Sequence, residues 1–145
     1  MLRKMSFLMA VSLLGGCNVG SNYTGSYVGG DDTGIIHLNL VEADDKRINA
    51  TVSVSQLDYD AGKLKAKTVG MTGIRDADAI NLLSSNGSGG SMTLIGTKEK
   101  LVWQIPTTGQ SIEFVETDQA GYQKRLIELS KQLNANDVGM LPDDL

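Results

Sequence analysis

The stretch Ile48-Asn49-Ala50-Thr51-Val52-Ser53-Val54-Ser55 decides the fold. Ile48, Ala50, Val52 and Val54 alternate with Asn49, Thr51, Ser53 and Ser55. Successive side chains of an extended chain point to opposite faces, so this period of two gathers the apolar residues on one face and the polar ones on the other. The stretch therefore reads as a strand with one face on a core and one in water.

The same pattern continues in both directions. Upstream, Ile36, Leu38 and Leu40 alternate with His37, Asn39 and Val41, and Ala43-Asp44-Asp45-Lys46 turns the chain. Before these, Tyr23, Gly25, Tyr27 and Gly29 share one face of a first strand that ends at the turn Gly30-Asp31-Asp32. Downstream, Leu57 breaks the phase, which predicts a bulge or twist. Asp58-Tyr59-Asp60-Ala61-Gly62 turns into a strand where Lys63, Lys65 and Lys67 alternate with Leu64 and Ala66, placing the lysines in water. The phase slips again near Val69-Gly70-Met71, where glycine permits a bend.

After Asp76-Ala77-Asp78 come Ala79–Leu83, a loop at Ser85–Gly90, a strand with Met92, Leu94 and Gly96 on one face, and a charged tip at Lys98-Glu99-Lys100. Leu101–Ile105 ends at Pro106, and Ser111–Val115 is the last strand. These are about eight short strands at short intervals, with no long crossover, so neighbours in sequence are expected to be neighbours in the sheet. The fold expected is a mainly β, antiparallel up-and-down meander, closed as a small barrel or else stacked as a sandwich.

The period then becomes helical. Tyr122, Leu126, Leu129 and Leu133, with Ile127 beside them, form a stripe for packing on the sheet or over a barrel mouth. Thr117 or Asp118 caps the start. The expected divisions are a domain over 23–134, including a helix over 117–134, and a flexible tail over 135–145.

The chain has 13 basic and 17 acidic residues. A net acidic chain without a basic, aromatic-rich patch is a poor partner for nucleic acid. His37 is the only histidine and falls on a polar face, which predicts a solvent-facing side chain and rules out a histidine metal cluster. The pairs Asp31/Asp32, Asp44/Asp45, Asp58/Asp60 and Asp76/Asp78 all fall at turns, where Asp bonds its own backbone. The one faint calcium-loop echo, at Asp58–Gly62, has its glycine one place early and no closing Glu. Asn86–Ser91 lacks the Lys-Ser/Thr ending of a phosphate loop. No cofactor, no metal and no enzymatic activity are expected.

The start of the chain has a different character. Arg3 and Lys4 precede the apolar run Met5–Leu14, which small residues Gly15 and Gly16 connect to Cys17, the only cysteine. A basic start, a short apolar run and a small-residue exit describe a secretory signal, too short to span a bilayer. Leu14-Gly15-Gly16-Cys17 resembles the lipobox of bacterial lipoproteins. That resemblance implies cleavage between Gly16 and Cys17, a diacylglyceryl group on the Cys17 sulfur, a signal peptide over 1–16 and a lipidated tether over 17–22. With Arg3 and Lys4 removed, 11 basic residues face 17 acidic ones and the balance is −6. Asn18 stands where Asp would favour the inner membrane, so by the same resemblance the outer membrane is the expected location.

Gly25-Ser26-Tyr27 is similar to the Gly-x-Trp of lipocalins, which also have eight strands and a C-terminal helix, although Tyr27 stands in place of Trp and no matching Arg lies on the last strand. Narrow barrels are usually filled by side chains. If a cavity remained, Tyr27, Val52, Leu94 and Trp103 would line it. The expected function is a membrane-tethered, non-enzymatic envelope module that binds a protein partner or supports an assembly. The alternatives are a barrel for a small apolar ligand, and an inhibitor or exclusion factor against an incoming enzyme or phage.

Overall fold

The structure, a computed structural model, describes residues 22–87 and 90–138. Eight antiparallel strands form a closed barrel in sequence order, followed by one helix. The strands are β1 (Gly25–Gly30), β2 (Gly34–Glu42), β3 (Arg47–Asp58), β4 (Lys63–Asp76), β5 (Ala79–Ser84), β6 (Ser91–Gly96), β7 (Lys100–Gln104) and β8 (Ser111–Thr117). Closure comes from β1 against β8, through Ser26↔Thr117, Tyr27↔Glu116 and Val28↔Val115.

The alternation of β3 holds from Ile48 to Val52, but Ser55, expected in water, is 5% exposed. Ile48, Ala50 and Val52 are buried inside, joined by Leu38 and Leu40 of β2, Met71 of β4, Ile80 and Leu82 of β5, Met92 and Leu94 of β6, Leu101 of β7 and Phe114 of β8. These inward rows make one core. At about 25 cal/mol per Å² of apolar surface removed from water, each of these side chains larger than alanine stabilises the fold by roughly 1.5–3 kcal/mol. Gly73 keeps the wall tight, since a Cβ there would collide with the Asn81 carbonyl oxygen of β5.

Two expected phase breaks are absent. β3 and β4 keep one continuous register from Asp58↔Lys63 to Arg47↔Ile74, with no bulge at Leu57 and no slip at Gly70. Leu57 is on the outward phase, and it is apolar because the helix covers that part of the outer wall. Lys65 and Lys67 share the inward phase of Val69 and Met71. The row changes from apolar to charged because β4 there rises past the packed core, and both lysines are exposed.

The helix α1 (Gln119–Val138) starts where Asp118 Oδ1 accepts the Gly121 N–H at 2.7 Å, so Asp118 is the cap. It extends past the expected end at 134, and residues 139–145 of the expected tail lie outside the described residues. It packs on the outer wall of the barrel rather than over a mouth. Leu129 is buried with Val28 and Ile35, flanked by Leu57, Leu64, Tyr122 and Leu126. His37 belongs to this seam. It is half-buried rather than fully solvent-facing, because its ring stacks on Tyr122 with centroids 4.0 Å apart and planes 13° from parallel. Burial lowers its pKa below the ordinary histidine value.

Candidate functional site

The two ends of the barrel differ. The end holding the start of β1 and the β2–β3, β4–β5 and β6–β7 turns is sealed. Tyr23, 3% exposed, lies across it. Its hydroxyl donates to the Gly96 carbonyl at 2.8 Å, and its backbone N–H donates to Glu42 Oε2 at 2.8 Å. Glu42 Oε1 accepts from Arg75 Nε at 2.6 Å, and the guanidinium carbon lies 5.4 Å from the centre of the Tyr23 ring. The side chains of Arg75 and Glu42 are 12% and 4% exposed, so the pair is removed from water. Such a pair stands only because each charge satisfies the other, and losing one partner leaves an uncompensated charge. Tyr27 completes the floor from above, its hydroxyl donating to the Tyr23 carbonyl at 3.0 Å, and burial pushes its phenol up to about 12.

This network was readable from strand phase. Glu42 continues the inward row of Leu38 and Leu40, and Arg75 continues that of Met71 and Gly73. An acid and a base at inward positions on the same end of β2 and β4, the two strands that flank β3, are the signal. The last strand holds no arginine, as expected, and the aromatic that meets an arginine is Tyr23, under Arg75 of β4.

The opposite end is open. There Ile36, Val54, Val69, Trp103 and Ile112 are half-buried, packed against the core below and reached by solvent above. Gln56 and Lys67 stand exposed on the same inward rows. A concavity of about 790 Å³ takes in Ile36, Val54, Gln56, Gln110 and Ile112, and extends to Arg125 of the helix. It passes between the upper ends of β1 and β8, which pair only as far as Val28. Gly29 lets the two strands approach there, since a Cβ would lie 2.5 Å from the Glu113 carbonyl oxygen.

The residues expected to line a cavity all face the interior, from β1, β3, β6 and β7 around the barrel. Tyr27, Val52 and Leu94 are buried in the packed core, and Trp103 sits at its upper boundary. Ile36, Val69 and Ile112 belong to the mouth and were not singled out from sequence, because alternation gives the face of a residue but not its height in the barrel. Gly16 and Cys17 lie outside the described residues.

The acidic turns serve their own loops. Asp31 Oδ1 accepts from the Thr33 hydroxyl at 2.6 Å and from the Thr33 and Gly34 N–H groups, which lowers its pKa. Asp45 binds Arg47, and Asp58 accepts from the Ala61 N–H. Among the described residues no group of three or more His, Cys, Asp or Glu gathers in metal-binding geometry, and no helix is long and apolar enough to cross a membrane.

No family model, curated protein or solved structure matches this chain.

Proposed function

We propose that the chain is a bacterial envelope lipoprotein, tethered through Cys17, whose barrel is a non-enzymatic binding module with its mouth as the binding end. The carrying observation is the asymmetry of the barrel. One end is closed by Tyr23, Glu42 and Arg75, while the other leaves a ring of five half-buried apolar side chains in reach of solvent. Three of these, Ile36, Val54 and Ile112, line the concavity, and half-buried apolar surface gathered there is where binding recovers hydrophobic free energy.

The tether fits this division. Residues 17–22 precede Tyr23, which is fixed in the floor by three hydrogen bonds. Six residues reach at most about 20 Å even when fully extended. Anchoring at Cys17 therefore keeps the floor near the bilayer and turns the mouth away from it. The outer leaflet–facing or periplasmic environment then supplies the partner.

A second reading has its own support. The half-buried ring around Trp103 and the adjoining concavity also suit a small apolar ligand, of a size that pockets of several hundred Å³ accept.

Replacement of Cys17 tests the anchor. Cys17→Ser is expected to move the protein from the membrane pellet to the soluble envelope fraction, because stable anchoring requires the acyl chains. Retention of the variant in the pellet would sink the lipoprotein reading.

A further inference from the structure

β4 is longer than the strand beside it. It begins at Lys63, but β5 pairs with it only from Met71, and the last contact on that side is the Ser85 N–H donating to the Gly70 carbonyl at 3.0 Å. From Lys63 to Val69, β4 has β3 on one side and, among the described residues, no strand on the other. In an antiparallel strand the N–H and C=O of one residue point to the same side, and the side alternates along the chain. Gly70 turns its carbonyl toward β5, and the register is unbroken, so Thr68, Ala66 and Leu64 turn their backbone groups to the empty side. Ala66 and Thr68 are exposed. An unpaired edge of this kind is a template for another strand.

The charges on this edge choose among strands. Lys63, Lys65 and Lys67 lie on one face of it, all exposed and none ion-paired among the described residues. Asp58 lies across from Lys63, but Lys65 is opposite Gln56 and Lys67 is opposite Val54, so no acid of β3 answers them. Lysines on an edge ordinarily discourage pairing. A second copy of this edge brings the same three lysines and is repelled, whereas an acidic strand neutralises them.

We propose that the Lys63–Val69 edge of β4 takes an extended acidic segment of a partner protein by strand addition. Its acids occupy alternate positions beside Lys65 and Lys67, and its small or apolar residues lie beside Ala66 and Thr68 on the other face. Main-chain bonds give affinity and the alternate side chains give selection. The proposal rests on the reading of the barrel as a binding module and names the partner's chemistry. The added strand extends the wall above β5 and borders the mouth on the side of Val69.

The full-length chain in detergent micelles provides the test, with a labelled synthetic peptide of alternating glutamate and valine as the probe and a lysine–valine peptide as the control. Fluorescence anisotropy is expected to show binding of the acidic peptide only, and hydrogen exchange is expected to slow at the Ala66 and Thr68 amides. Lys65→Glu combined with Lys67→Glu replaces two attractive cross-strand pairs by repulsive ones and is expected to weaken binding at least about tenfold. Ala66→Pro removes an N–H on the empty side and none of the bonds to β3, so it is expected to abolish binding while the thermal melt stays in place. Equal binding of both peptides, no binding of the acidic one, or binding that survives Ala66→Pro overturns the proposal. So does protection of the Ala66 and Thr68 amides without peptide, which would mean that the chain itself or a second copy already fills the edge. Failure here with Cys17-dependent membrane recovery intact refutes strand addition alone.

Discussion

His37 shows how one residue links phase, burial and pH. Alternation along β2 turns it away from the core, which in an isolated barrel means water. The helix instead covers that face, and Tyr122 stacks on the imidazole. Burial disfavours the charged ring, so the folded pKa lies below the unfolded value of 6.5. The unfolded chain therefore binds the extra proton first as the pH falls, and stability decreases below about pH 6.5. Asp31 acts in the same direction at lower pH, since its lowered pKa gives stability that is lost only as its carboxylate protonates. Urea midpoints are expected to drop between about pH 7 and pH 5 in the native chain, and His37→Phe, which keeps the stack but cannot titrate, is expected to flatten that window. An equal drop in both proteins would assign the effect to other groups. The cover over His37 was not legible from β2 alone, because it belongs to a helix more than 80 residues away in the chain.

Among the elements, the strands were the most legible. Ile48, Ala50, Val52 and Val54 give the face of β3, and each neighbouring run repeats the same period, so an antiparallel meander of eight strands follows from pattern and short turns, whereas its closure as a barrel rather than a sandwich is decided by the pairing of β1 with β8. The helix was legible as a stripe, but its berth was not. A stripe of Tyr122, Leu126 and Leu129 fits a sheet face or a mouth equally well. The choice was recorded elsewhere, in Val28, Ile35, Leu57 and Leu64, apolar residues on outward phases whose burial only a covering helix explains. The same logic accounts for the two phase breaks that the structure lacks. Leu57 is an outward residue under the helix, and Lys65 and Lys67 are inward residues above the core. Leu129 carries the helix contact, being 3% exposed, whereas Ile127 is 56% exposed. Leu129→Ala is expected to cost about 2–4 kcal/mol in urea unfolding, and Ile127→Ala less than about 0.5 kcal/mol. Comparable losses from both would mean that the helix presents a different face to the barrel.

At the scale of the whole molecule, the barrel has a direction. The floor is built from charges and phenols that satisfy one another, and the mouth from apolar side chains that the fold leaves half-covered. Neither end was named by composition. Both follow once inward rows are extended past the core, to Glu42 and Arg75 at one end and to Lys65 and Lys67 at the other. The candidate site was therefore legible as a set of faces but not as heights, because closure of the barrel decides which inward residues meet neighbours on all sides. Under the proposed anchoring at Cys17, the short connection to Tyr23 would convert this direction into an orientation, floor toward the bilayer and mouth away from it. Trp103, the only tryptophan, stands at the mouth and reports that orientation directly. The decisive measurement is the quenching of Trp103 emission in the full-length lipidated chain reconstituted into vesicles containing brominated phospholipid. The account predicts an emission that aqueous acrylamide quenches and brominated lipid leaves unchanged, whereas strong quenching by the brominated lipid would place the mouth on the membrane and contradict it.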